Sequence, residues 1–392
     1  MSALSHRDRV LTVLNHETPD RLPVDLGGCP ASGINLYAYK RLKGHLGLPG
    51  PVRVQAERSL LAWPDDAVLE RFDADLRLIV AYTAEDSGTR GVFDEAAYER
   101  EAEYTDMWEV VRRRPPLGHY YVTHSPFEKD DLGLADLDAH PWPSPKKTDA
   151  AGLRREAERL RRETDCALVV HVPGRIFSIG QFMCGFENWL VQLKINPEFC
   201  EALLDRTLEI QLAMAEETLR AVGDAADILY LADDYGIQTG PLISPALFRQ
   251  IFKPRMARLI RFLREHSSAK IAFHSCGSVY ALLPDFIDVG VQILNPVQVA
   301  AADMDTARLK REFGKHLVFW GAIDTQRVLP QGTPEDVRAE VARRVKDLAP
   351  RIHPGVGPQH PGRGPRREHR GDVRGAQACE VRAGDHAKTY GK

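Results

Sequence analysis

The stretch Lys270-Ile271-Ala272-Phe273-His274-Ser275-Cys276-Gly277-Ser278 runs from a short apolar strand straight into a polar cluster ending in glycine. The same arrangement stands at Ile228 to Ala232, followed by Asp233-Asp234-Tyr235-Gly236, and at Ala167 to Val172, followed by Pro173-Gly174-Arg175. It returns at Val291 to Leu294, before Asn295-Pro296-Val297-Gln298, and at Leu317 to Trp320, before Gly321-Ala322-Ile323-Asp324. Between these strands lie amphipathic helices with recognisable starts. Asn196-Pro197-Glu198 opens one that runs towards Gly223, Ser244-Pro245 opens one through Leu263 that Pro254 should kink, Ser278 to Asp288 and Asp305 to Phe313 follow, and Thr333-Pro334-Glu335 opens one through Leu348. Strand–helix repeats of this kind require parallel pairing, because each helix returns the chain to the same end of the sheet.

Working outward, Ser5 and Asp8 mark the start of a first helix with Val10, Leu11, Val13 and Leu14 on its apolar face. Leu22 to Leu26 reads as a first strand closed by Gly27-Gly28. Residues 30–165 mix short apolar runs with charges, prolines and aromatics, and read as early elements with long insertions. At 392 residues and 43% hydrophobic content, the expected fold is α/β. More narrowly it is a (βα)8 TIM barrel with an N-terminal helical elaboration, favoured over an open doubly wound sheet. No glycine-rich phosphate fingerprint follows the first strand, which counts against a dinucleotide fold.

The bulk properties exclude several classes. A net charge of -3 with 27% charged residues gives no nucleic-acid footprint. No apolar run is long enough to span a bilayer, and Met1 to Asp8 has no signal-peptide core. The six cysteines form no CxxC pair and suit a reducing cytoplasm. Self-association is left open.

In such a barrel the chemistry lies at the C-terminal ends of the strands. His274 and Cys276, two apart on a strand, point to one side, and an imidazole beside a thiolate can hold zinc. A third ligand would come from another strand, with Asp233, Asp234 or Asp324 as candidates; the bland alternative is a hydrogen-bonded histidine beside an inert cysteine. Asp233, Asp234 and Arg175 are the candidate catalytic groups, and Asp25, His171, Tyr235, Asn295, Gln298 and Asp324 the candidate substrate-binding groups. Adjacent carboxylates at a strand end point opposite ways, so one of Asp233 and Asp234 should face the site. Both could instead be solvated acids capping the next segment. A guanidinium such as Arg175 suits a carboxylate or phosphate, or a neighbouring Asp.

Several segments together resemble the uroporphyrinogen decarboxylase superfamily. They are Arg9 to Glu17 with Pro19 to Asp25, Phe273-His274-Ser275-Cys276-Gly277-Ser278, Ile293 to Gln298, and Phe319 to Gln326. The resemblance covers residues 5–350 and implies either tetrapyrrole decarboxylases that need no metal, or zinc-dependent methyltransferases that exchange methyl groups with a corrinoid protein or a thiol. The decarboxylases carry paired arginines after the first strand, where this chain has Asp25-Leu26-Gly27-Gly28. The methyltransferases share His-x-Cys-Gly, matched by His274 and Cys276, and usually add a cysteine near the last strand, where this chain has none. The favoured expectation is zinc-dependent methyl transfer. A metal-free decarboxylase of a tetrapyrrole or smaller carboxylated substrate is the alternative.

From Arg351 to Lys392 there is no Leu, Phe or Met, and Arg, Gly, Pro and His dominate. Such a segment cannot offset its ordering entropy by apolar burial, so disorder is expected there. Relatives continue with a His-Asn-Ile-Gln run, and a one-base displacement of its codons reads Pro358-Gln359-His360-Pro361. This points to a frameshift near Arg351, leaving residues 1–350 as the barrel with its last strand and helix missing or altered. An inactive barrel is therefore a third reading.

Overall fold

The computed structural model describes residues 3–56, 58–80, 91–144 and 149–349. At its centre are six parallel strands in chain order: β1 (Leu76–Val80), β2 (Ala167–His171), β3 (Ile228–Ala232), β4 (Lys270–His274), β5 (Ile293–Asn295) and β6 (Val318–Phe319). Alternate side chains divide them into two faces. Leu76, Leu78, Ala167, Val169, Ile228, Tyr230, Ala272 and Ile293 share an inner cluster with Val10, Leu14 and Cys29. Ile79, Leu168, Val170, Leu229, Leu231, Ile271, Phe273 and Leu294 face outward into the larger core formed with the helices. The expected α/β class and TIM-barrel-like organisation are therefore present.

The helix starts follow local chemistry. The Asn196 side chain accepts from Phe199 N ahead of Pro197–Val222, Asp305 accepts from Arg308 N ahead of Thr306–Phe313, and Thr333 forms a capping box with Asp336 ahead of Pro334–Leu348. Pro254 is accommodated by a π-helical stretch, Phe248–Phe252, immediately before the helix Lys253–His266. No helix among the described residues is long and apolar enough to cross a membrane.

One expectation is corrected. Leu22 to Leu26 is not a strand. Pro23 has no N–H to give a ladder, and Val24 N binds the Asp75 carboxylate while its carbonyl takes Asp75 N. Residues 30–144, read as early elements with long insertions, hold among the described residues the parallel strand β1, helices such as Leu36–Leu46 and Asp66–Arg71, and two small antiparallel sheets. One sheet joins Ile34–Asn35, Leu61–Trp63 and Arg53–Ala56; the other joins Ala102–Thr105, Val111–Arg114 and Tyr121–His124. The proposed frameshifted tail, 351–392, lies outside the described residues.

Helix α1 (His6–Leu14), capped by Ser5, covers the N-terminal ends of the strands. It is held there by carboxylates that immediately precede strands. Asp75, its side chain fully buried, accepts from Arg9 Nη1, Arg21 Nη1 and Val24 N at 2.6 Å each and meets His6 Nδ1 at 2.8 Å. Asp227 accepts from Arg7 Nε, Arg161 Nη2 and Leu168 N at 2.7–2.8 Å. Burial alone would raise the Asp75 carboxyl, but the Arg21, Val24, Arg9 and His6 donors outweigh it and hold it below the usual carboxylate range. A carboxyl depressed on folding adds stability that is complete above its unfolded value of about 4 and is lost as the pH falls through the folded value. Asp75→Asn should therefore cost about 1–3 kcal/mol at neutral pH, because Arg9 and Arg21 keep Asp20 and Asp73 but buried donors lose the carboxylate they share. Urea unfolding at pH 7 and pH 3 checks this: the wild type should lose more stability on acidification than the variant.

Candidate metal centre

The loops that follow β3 and β4 are stitched together by their backbones. Asp233 N donates to His274 O at 2.9 Å, Tyr235 N to Ser275 Oγ at 2.9 Å, Cys276 N to Asp234 Oδ1 at 2.8 Å, and Ser278 N to Ile237 O at 2.8 Å. The approach is close enough to require two glycines. A Cβ on Gly277, where φ is +81°, would lie 2.3 Å from Gly236 C, and a Cβ on Gly236 would lie 2.5 Å from Cys276 O. Gln298 Oε1 completes the turn by accepting from Gly277 N at 2.7 Å.

This packing brings three side chains together. His274 Nε2 lies 3.5 Å from Cys276 Sγ and 3.6 Å from Asp234 Oδ1, and one ligand atom from each residue falls within 4.8 Å of the others. His274 pairs with Ala232 and Asn295 across the sheet, and its Nδ1 meets Asn295 Oδ1 at 2.8 Å. Asn295 Oδ1 also accepts from Tyr230 Oη at 3.1 Å, and Asn295 Nδ2 donates to the Trp320 carbonyl at 3.1 Å. Burial and the neighbouring Asp234 carboxylate push the Cys276 thiol up to about 12. One nitrogen, one sulfur and one oxygen, with Asp234 56% exposed on the open side, form a donor set that fits zinc with a further position free.

The two adjacent acids separate as the alternation requires. Asp234 joins His274 and Cys276. Asp233 is buried and points the other way, into the N-terminus of helix α2 (Phe177–Cys184). Its two oxygens accept from Ile176 N, Phe177 N, Ser178 N and Ser178 Oγ at 2.6–2.8 Å. Burial, the largest influence, raises its pKa, and these four donors oppose that rise. The expectation of a catalytic Asp233 is thus corrected to a helix-capping carboxylate.

The remaining expected site residues fall into two groups. Tyr235 is fully buried among Phe177, Phe248, Phe252, Phe273 and Phe286 and does not face the site. Gln298 serves the Cys276–Gly277 turn, Asn295 serves His274, and Asp324 Oδ1 accepts from Gln326 N and Arg327 N within its own loop. Asp25 and His171 do come near. Asp25 Oδ2 accepts from Trp320 Nε1 at 2.8 Å and Oδ1 from Gly28 N at 2.7 Å, and burial raises its carboxyl. The His171 ring packs 5.4 Å from Tyr230. Arg175 has its backbone bracketed by Gln211, and its guanidinium lies 5.6 Å from the centre of the Phe182 ring, which Arg58 and Arg112 also approach. Tyr230 and Trp320 are the residues that sequence reasoning missed. Counting back by twos from Asp234 through Ala232 would have placed Tyr230 on the inner face.

The uroporphyrinogen decarboxylase (URO-D) family profile matches residues 126–354, more than half of the chain. No curated protein matches it. Among solved structures, a methyltransferase from Methanosarcina mazei superposes with a TM-score of 0.60 at 18% identity, over 96% of this chain and 97% of that one, which shows a shared fold. On its family match and its fold, the chain belongs to the uroporphyrinogen decarboxylase family.

Proposed function

We propose that this protein is a zinc-dependent methyltransferase that moves a methyl group to or from a corrinoid protein or a thiol, in the cytoplasm. The observation that carries the proposal is the convergence of Asp234, His274 and Cys276 at the C-terminal ends of adjacent parallel strands. The likeness to a solved methyltransferase agrees with it. Zinc held there supplies Lewis acidity, polarising a methyl donor or lowering the pKa of a bound thiol.

The chain's own residues do the rest. His274 Nε2, Cys276 Sγ and an Asp234 oxygen offer the ligand atoms, and exposed Asp234 leaves the open side towards substrate. The Tyr230 and Trp320 rings, with centres 6.0 Å apart, wall the inner side next to the His274 ring. Asp25, whose carboxyl is raised by burial, stands beside that wall and accepts from Trp320 Nε1. Arg175 offers its guanidinium to an anionic part of the substrate.

Elemental analysis of the purified protein tests the reading. It should hold about one zinc per chain, the number of sites that a single three-ligand group provides. Cys276→Ala and His274→Ala should lose both metal and methyl transfer. A wild-type protein that turns over without metal would reject the proposal and favour metal-free decarboxylation anchored by Arg175. The adjacent acids give a sharper contrast. Asp234→Ala should weaken zinc binding at least about tenfold with folding unchanged. Asp233→Ala should keep zinc but lose about 1–3 kcal/mol of stability, because it strips the cap from buried donors. Metal titration and thermal unfolding of the two variants side by side decide this.

A further inference from the structure

We infer that Asn295 is a positioning residue for the metal centre, and that the Trp320 carbonyl, acting through the Asn295 amide, sets which nitrogen of His274 carries the proton. The inference rests on the zinc reading for its purpose, but its geometry stands alone.

The argument starts from a group with no freedom. A backbone carbonyl can only accept a hydrogen bond. Trp320 O lies 3.1 Å from one end of the Asn295 amide, so that end must be the NH2 group. The reversed amide would set two oxygens against each other at that distance. The other end is therefore the oxygen, and it lies 2.8 Å from His274 Nδ1. An oxygen acceptor there requires Nδ1 to carry a proton, which leaves the lone pair on Nε2. That nitrogen faces Cys276 Sγ at 3.5 Å and Asp234 Oδ1 at 3.6 Å. Tyr230 agrees, since its hydroxyl donates to the same Asn295 oxygen at 3.1 Å.

Asn295 itself has little room to move. It is 2% exposed, its backbone pairs with His274 across the sheet, and its carbonyl accepts from Ser275 N at 2.9 Å. The imidazole is thus presented to a metal before any metal arrives. A ligand nitrogen that need not change tautomer or turn its ring binds more tightly than one that must.

The test uses the full chain with nitrogen-15-labelled histidine. In chelator-treated wild-type protein at neutral pH, long-range nitrogen–proton NMR should show His274 protonated on Nδ1. Asn295→Leu, which removes the acceptor, should lose that preference and bind zinc about 10–100-fold more weakly by chelator competition. Asn295→Asp keeps an acceptor oxygen for Nδ1 but loses the NH2 that meets Trp320 O, so it should keep the Nδ1-protonated ring on a looser support, with zinc affinity between the other two. A wild-type ring protonated on Nε2 overturns the inference. So does an Asn295→Leu protein with wild-type tautomer and wild-type zinc affinity. Should the wild type bind no zinc, the functional proposal falls, and the tautomer in the wild type and in Asn295→Asp still decides this one.

Discussion

The pleat of a β-strand sends successive side chains to opposite faces, and this constraint runs through every part of the molecule that matters for chemistry. It gives the parallel strands a largely apolar outer row for the helices and an inner row that carries Tyr230, His274 and Asn295. It puts Cys276 on the side of His274. It splits Asp233 from Asp234, so that one carboxylate enters a helix N-terminus and the other meets the imidazole. Shifting β3 or β4 by a single residue would exchange a candidate ligand for a packing residue.

The two ends of the strands are treated differently by the same kinds of group. At the N-terminal end, Asp75 and Asp227 are saturated by arginines and backbone amides, and α1 covers the opening. At the C-terminal end, polar groups are held from behind and left open in front. Asn295 supports His274, Trp320 Nε1 supports Asp25, and Gln298 supports the turn after Cys276. Satisfied carboxylates give a rigid floor, and partly satisfied ones give a reactive rim.

Much of this was legible in the residues because local rules agreed with the fold. The caps at Asn196, Asp305 and Thr333 were readable, as was the strand run from Ala167 onward, since each rests on chemistry within a few residues. The pairing of His274 with Cys276 followed from a spacing of two. Where reading stopped, the deciding contact was distant in sequence. Asp233 was assigned to catalysis because its partners, Ile176 to Ser178, lie on another element. Tyr235 stood in a polar cluster yet belongs to an aromatic core built from remote helices. The antiparallel sheets of residues 34–124 have strands of two to four residues, too short to display a period. The third ligand atom was open because nothing local separates Asp234 from Asp233 or Asp324.

The back-to-back contact of Gly236 and Gly277 bears on which ions the centre can accept. Asp234 and Cys276 ride on loops whose backbones already touch, and Cys276 N is bonded to the Asp234 carboxylate. The bite between these donors cannot widen without pulling two backbones apart. A narrow, stiff bite with one soft donor favours a small ion content with four ligands. Calcium, which wants six to eight oxygens at longer range, finds neither the number nor the span, and magnesium finds too few oxygens for its octahedron. In the proposed metal centre, discrimination between ions would thus come from the backbone as well as from the choice of side chains.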